Sequence, residues 1–454
     1  MRADREVTVI GGGLAGCEAA WQLLNRGCRV IMYEMKPERF SPAHSSPLLS
    51  ELVCSNSLRS NAVESAVGLL KEELRCLGSL FMEGADRTAV PAGKSLAVDR
   101  QRFSEYIQDK LLSFGGQFHL IHEEIEEISA IPSSGPVVIA TGPLTSDALA
   151  RDIQNLTGSD YLYFYDAISP IVTADSIDEA KTFWASRYQE GDGDYLNCPL
   201  DEATYATFRE AVLNADKVPL RDFEKPRYFE GCLPIEILAE RGELTLLFGP
   251  MKPVGLTDPR NGRQPHAIVQ LRKENQSGSL LNMVGFQTKL TWPEQRRIFR
   301  MIPGLEKAEF SRYGSIHRNT FIHSPALINE RLQLRSQPML FFAGQLAGVE
   351  GYVESAAMGL YSGLSIACLL EDRELAPPPD TTALGALIRL ITTTAKREFQ
   401  PMNVNHGIFR PLEVKIKKRE RGKEYARRSL TDLAEWMEAE RCLTPLKVRL
   451  AALD

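Results

Sequence analysis

A glycine-rich turn near the start of the chain limits the folds open to it more than any other stretch. Val7–Ile10 is a short apolar run suited to a buried strand, Leu14–Arg26 repeats apolar residues at helical spacing, and Cys28–Tyr33 is a second apolar run ending in Glu34. Between the first strand and the helix stands Gly11-Gly12-Gly13-Leu14-Ala15-Gly16, a G-x-G-x-x-G pattern in the βαβ setting it requires. The first glycine of such a pattern makes the turn, the second admits a pyrophosphate, and the third lets the helix pack closely. The helix N-terminus then faces the phosphates. Glu34 lies 21 residues beyond Gly13, where a carboxylate can accept hydrogen bonds from a ribose. Residues 11 to 16 and Glu34 are therefore the expected dinucleotide-binding set.

NAD would fit the same turn, but two later features favour FAD. One is the apolar strand Val137–Ala140 closing in Thr141-Gly142. The other is the strand Met339–Ala343, followed by Gly344-Gln345 and a small-residue helix from about Val353 to Leu370. Both are similar to the flavoprotein pattern, and Thr141, Gly142, Gly344 and Gln345 join the expected cofactor residues. A second G-x-G-x-x-G with an acidic partner is missing, so a nicotinamide would reach the flavin without a Rossmann domain of its own.

The expected fold class is α/β: a Rossmann-like FAD-binding domain with an inserted α+β domain and a helical C-terminal segment. Residues 1–150 and 310–375 form the discontinuous FAD domain. Residues 151–309 turn to mixed aromatic, charged and turn-rich sequence and form the insertion. Pro377-Pro378-Pro379 marks a linker, after which Thr381–Thr393 and Ser429–Glu440 carry helical patterning, so 376–454 reads as a helical, basic segment packed on the FAD domain.

A net charge of -6 gives no global attraction to polyanions, but Lys396 to Arg428 holds eleven basic residues against four glutamates. No apolar run approaches the roughly 18 to 20 residues of a membrane helix, and no signal-peptide pattern opens the chain, so the expected compartment is the cytoplasm. The cysteines at 17, 28, 54, 76, 198, 232, 368 and 442 form no C-x-x-C, which argues against a zinc knuckle or thioredoxin-like pair and predicts free thiols. The histidines show no metal-ligand spacing, and no metal is expected.

Two cysteines lie in segments that look like sites. Cys54 sits in the polar stretch Glu51–Ser60, with Arg59 at hand for a thiolate or an anion. Cys232 follows Gly231 and precedes Leu233-Pro234, a tight turn able to present a thiol. From the residues alone, a buried structural cysteine is the commoner reading of each.

Taken together, Val9–Ala20, Cys54–Ser60, Tyr228–Glu236, Phe248–Leu256 and Ala343–Tyr352 resemble the folate- and FAD-dependent tRNA (uracil-5-)-methyltransferases. Asn403–Arg410 departs from that pattern, with His406 and Arg410 where Phe and Pro are expected. The resemblance implies C5-methylation of a uridine in the T-loop of tRNA. Methylenetetrahydrofolate would be the carbon donor, FAD the carbon and hydride carrier, and NADPH or NADH the reductant. It also implies that Cys232 adds to uracil C6 and that Cys54 assists as general base at C5. Uracil C5 becomes nucleophilic only once such an addition has made the ring an enolate, and a thiolate suits that task. Lys252, Arg260 and Arg263 are candidates for the anionic groups of folate, with solvated surface charge an equal reading. Lys417, Lys418 and Arg421 are candidates for tRNA phosphates around a flipped T-arm uridine. The same chemistry on ribosomal RNA, or a flavin- and RNA-binding protein without turnover, are the alternatives.

Overall fold

Six strands form a largely parallel sheet in the order Gln333–Leu334, Gln337–Phe342, Val137–Ile139, Glu6–Ile10, Arg29–Glu34, Phe118–His122. The structure is a computed structural model that describes residues 5–133, 135–158, 162–188, 193–219, 233–393, 399–413 and 416–440. Only the outermost pair, Gln333–Leu334 with Gln337–Phe342, runs antiparallel. Val7, Val9, Met32 and Val138 are buried on one face and Thr8, Ile10, Ile139 and Phe342 on the other, as a sheet covered on both faces demands. The strand Glu6–Ile10 pairs with Arg29–Glu34 on one side and Val137–Ile139 on the other. Chain direction across the sheet therefore switches there, and such a switch opens a crevice at the carboxyl ends of the strands.

The helices Leu14–Leu24 and Tyr352–Leu369 cross in near-backbone contact over this sheet. A Cβ on Gly359 would lie 2.1 Å from the Ala15 carbonyl oxygen, so the small residues of the second helix set the approach.

A second sheet is antiparallel throughout, in the order Phe183–Ala185, Tyr195–Leu200, Ala267–Lys273, Leu280–Met283, Ile171–Thr173, Phe310–Arg312. It has a hydrophobic core of its own, where Phe286 packs against Phe208 and Phe299. A two-stranded ladder of Leu162–Ile168 with Ser315–Phe321 lies between the chain segments that build the two sheets. Arg272 of the second sheet donates to Asn56 Oδ1 at 2.7 and 3.0 Å and to Ser55 Oγ at 2.9 Å, which ties the segment after Cys54 to that sheet.

The helices Ala383–Thr393 and Arg421–Ala439 close the described chain, and their buried residues join the core of the first sheet. The last helix starts at Arg421 rather than the expected Ser429. Its first two turns are mostly charged and include Gly422, so no apolar period marks them. Both helices converge on Glu73, a fully buried carboxylate. It accepts the Ala383 and Leu384 amides at 2.7 and 2.8 Å and the Ser429 hydroxyl. Glu73→Ala, which strands those donors, is expected to lower stability by about 3 kcal/mol, measured by denaturant unfolding.

Burial also pushes the Glu73 carboxyl up from 4.5 to about 7. The folded chain thus holds this proton more tightly than the unfolded chain does. The associated stability is full below the ordinary carboxyl value and is lost as pH rises through about 7, by about 3 kcal/mol at most.

His406 stacks on Tyr425 with ring centroids 4.9 Å apart and 11° between planes, so it occupies an aromatic niche where the related pattern has phenylalanine. Cys17, Cys28, Cys54, Cys76 and Cys198 are free thiols, as expected. Cys368 corrects that expectation: it is disulfide-bonded, and its buried place in the helix Tyr352–Leu369 gives no sequence signal of a partner.

Candidate functional site

The three glycines that matter in the first turn differ in what surrounds them. Gly11 has φ +99°, which favours glycine, and a Cβ there would strike the Ala140 carbonyl oxygen at 2.7 Å. At Gly16 a Cβ would lie 1.9 Å from the Gly11 carbonyl oxygen, so the helix is seated directly on the turn. Gly13 has φ -76° and nothing within 4 Å of a Cβ position. Its open face belongs to a cavity of about 1050 Å³, continuous with solvent, at the carboxyl ends of the parallel strands.

Gly11, Gly13, Leu14, Ala15 and Glu34 line that cavity. So do Thr141, Gly142, Gly344 and Gln345, each just beyond its strand. Gly12 and Gly16 stand behind the lining and shape it. Glu34 is buried; its Oε2 accepts the Gly12 amide at 2.7 Å and its Oε1 the Lys36 amide at 3.0 Å. Two backbone donors fix the carboxylate while lone pairs remain for a ribose. An open glycine face at a helix N-terminus, beside an oriented acid, fits the pyrophosphate and ribose of a dinucleotide such as FAD.

Several cavity residues escaped the sequence reading: Lys36, His44, Glu51, Val53 and Tyr352. Lys36 Nζ donates to the Leu48 carbonyl at 2.6 Å and pairs with Glu51 at 3.7 Å, which folds the 35–53 segment over the cavity. Burial, and next Lys36, push the His44 imidazole below its usual range. Burial holds His317 down at about 4, with Arg312 and His44 adding to the effect, so the ring is neutral at physiological pH. Nothing in the spacing of these histidines along the chain marks them.

Cys54 is partly buried, and its loop is fastened to the cavity wall. The Cys54 and Ser55 amides donate to the Tyr352 hydroxyl at 2.6 and 3.1 Å. Arg100 donates to the Leu52 carbonyl at 2.6 Å. Burial drives the Tyr352 hydroxyl well above its ordinary value, so it remains a neutral phenol. Arg59 does not serve the thiol as the sequence suggested. Its guanidinium pairs with the buried Glu354 carboxylate, because the left-handed conformation of Arg59 (φ 63°) turns it toward the helix Tyr352–Leu369. Glu350 is buried next to these groups and accepts from Gln345. Burial, then Asp166 and Glu354, keep its carboxyl well above the usual range.

Cys232 lies outside the described residues. The chain directly after it is firmly moored: the Ile235 amide donates to the Gln287 carbonyl at 2.7 Å. Glu236 accepts the Lys289 amide at 2.6 Å and the Thr288 hydroxyl at 3.0 Å.

Of the residues considered for folate, Arg260 is held by the Asp258 carboxylate at 2.6 and 2.9 Å and by the Ala180 carbonyl at 2.9 Å. Arg263 is exposed and Lys252 half-buried. None of the three lines the cavity at Gly13. Lys417, Lys418 and Arg421 are exposed at and before the start of the last helix, whose buried face carries Ser429, Leu433 and Trp436. Among the described residues no group of three or more His, Cys, Asp or Glu is arranged to hold a metal ion, and no helix is long and apolar enough to cross a membrane.

The parallel sheet with its switch-point cavity and the antiparallel second sheet define a class of dinucleotide-binding protein. The sequence model of the family described as "Glucose inhibited division protein A" matches residues 6–374. Aquifex aeolicus GidA shares the fold, with a TM-score of 0.67 at 17% identity in its form II crystal, covering 95% of this chain and 73% of that one.

Curated relatives are more specific. Methylenetetrahydrofolate–tRNA-(uracil-5-)-methyltransferase TrmFO of Syntrophus aciditrophicus is 59% identical over 96% of this chain and 98% of its own length. TrmFO of Geobacter sulfurreducens is 60% identical over 95% and 98%. The chain belongs to the TrmFO family.

Proposed function

We propose that this enzyme methylates C5 of a T-loop uridine in tRNA, drawing the carbon from methylenetetrahydrofolate, with FAD as carrier and NADPH or NADH as reductant. The observation that carries this reading is the mooring of the Cys54 loop, through Tyr352, to the wall of the cavity beneath Gly13. That mooring puts a half-buried thiol beside a dinucleotide site. FAD, when bound, supplies the hydride that completes the methyl group.

Gly11 to Gly16 and Glu34 hold the pyrophosphate and ribose, and Thr141, Gly142, Gly344 and Gln345 close around the remainder. Cys232 adds through sulfur to uracil C6, which places electron density on C5. Once C5 has taken up the methylene carbon, Cys54 accepts the C5 proton as the bond from that carbon to its carrier breaks, and the C6–S bond breaks to restore the ring when hydride completes the methyl group. Tyr352 acts as a positioning residue for Cys54. With Arg260 committed to Asp258, Lys252 and Arg263 are the better placed of the three for the anionic tail of folate.

The division into an FAD domain (1–150 and 310–375), an insertion (151–309) and a basic helical segment (376–454) is part of this proposal. Support for it comes from the separate cores of the two sheets and the burial of the last helices against the first. An enzyme acting on tRNA would work in the cytoplasm.

A competition between unmodified tRNA transcript and ribosomal RNA tests the substrate. Methyl transfer to tRNA alone is expected, and transfer to ribosomal RNA alone contradicts the reading. Replacing Lys417, Lys418 and Arg421 together with alanine should weaken tRNA binding and flatten the dependence of log K on log salt by about 2, measured by filter binding. An unchanged slope removes these residues from the interface.

A further inference from the structure

On the second sheet, a column of aromatic rings runs outward from the core. Phe310 stands 6.4 Å from Phe299, a core ring. Tyr313 stacks on Phe310 at 5.1 Å and 16°, and Trp292 stacks on Tyr313 at 5.4 Å, again at 16°. Trp292, the last ring, is 63% exposed. Tryptophan is ordinarily among the more deeply covered side chains, so an exposed indole braced from beneath is a surface built for contact.

Cations frame it. The helix Trp292–Phe299 buries Gln295, Ile298 and Phe299, which leaves Trp292, Arg296 and Arg297 outward. Arg296 donates from Nε and Nη2 to the Tyr313 hydroxyl at 3.0 and 2.7 Å and so locks the middle ring. Trp292, Pro293, Arg296, Arg297, Arg300 and Tyr313 line an open depression of about 880 Å³. Among the described residues no carboxylate lines it, and Arg297 is committed to the neighbouring Glu294, to which it donates at 3.0 and 2.6 Å.

We propose that this platform binds the RNA substrate by stacking an unpaired base on Trp292, with flanking phosphates on Arg296 and Arg300, whose guanidinium groups donate to the neutral oxygens of Tyr313 and Ala308. The proposal rests on the functional reading above and adds a second contact area, apart from the basic tail. A flat aromatic face ringed by guanidinium groups matches a nucleobase between phosphates better than it matches an apolar protein surface. The platform is linked along the chain to the wall of the reaction site. Arg312, the residue before Tyr313, turns inward and donates to the Ala43 carbonyl at 3.1 Å, next to His44 on the dinucleotide cavity.

The test is binding of unmodified tRNA transcript to the holoenzyme, with 5-methyluridine formation measured in parallel. Trp292→Ala should raise the Kd at least about 5-fold, and Trp292→Phe should restore most of the loss. Arg300→Gln should weaken binding and reduce its salt dependence. An unfolding midpoint unchanged in Trp292→Ala is expected from the exposure of the ring. Should that variant misfold, Trp292→Phe and Arg300→Gln carry the test. Unchanged Kd and KM for tRNA in folded variants of a methylating enzyme would overturn the platform. So would a change confined to the sedimentation mass, which would mark a contact between copies of the chain. A wild-type protein that binds RNA through Trp292 yet forms no 5-methyluridine would sink the functional reading and leave the platform standing.

Discussion

Gly13→Val is expected to yield a folded protein that retains FAD at least about 100-fold less well than the wild type, a difference of about 2.7 kcal/mol. Gly13 has an ordinary backbone conformation, and its missing Cβ points into open space, so a side chain there meets no protein atom. It would instead fill the approach to the helix N-terminus that a pyrophosphate needs. Gly16→Val should behave differently. Its Cβ would overlap the Gly11 carbonyl oxygen at 1.9 Å, and the expected result is an unfolded or insoluble chain. Absorbance of the purified protein reports the bound flavin, and circular dichroism reports the fold. A Gly13→Val protein that keeps its full flavin content would place the cofactor elsewhere.

The cysteines carry the second large effect. Cys232→Ala and Cys54→Ala are each expected to lose about 10³-fold or more of methyl transfer, since the two thiols act in one sequence of bond changes. They should part company on a denaturing gel. Without Cys232 no carbon–sulfur bond to RNA can form, and the adduct that resists denaturation disappears. Without Cys54 the C6 adduct forms, but the C5 proton is not removed, and the adduct persists. An adduct retained in Cys232→Ala and lost in Cys54→Ala would exchange their roles.

Part of the cavity lining was legible in the sequence for a physical reason. Gly11, Glu34, Thr141 and Gly344 each follow an apolar run, and a parallel sheet gathers the carboxyl ends of its strands at one edge. Reading the runs was enough to place their ends together. The cysteine segment was visible through family resemblance, but its support was not. Arg59 looked available and is bound to Glu354; Tyr352, which fastens the Cys54 loop, lies 298 residues away in the chain. Contacts of that range leave no period or spacing to read.

Glu73 was hidden in the same way, because a glutamate within a helical pattern reads as a solvated face until two other helices close over it. The ring column at Trp292 also depends on a tertiary meeting, between a helix and the strand Phe310–Arg312 with the residue after it.

The origin of the transferred carbon tests the central claim most directly. Unmodified tRNA is incubated with the FAD-loaded enzyme, NADPH and methylenetetrahydrofolate labelled at the methylene, and the nucleosides are resolved by mass spectrometry. The account predicts label in 5-methyluridine, confined to the T-loop fragment. A 5-methyluridine that forms without the label, or label that never enters RNA, would contradict it.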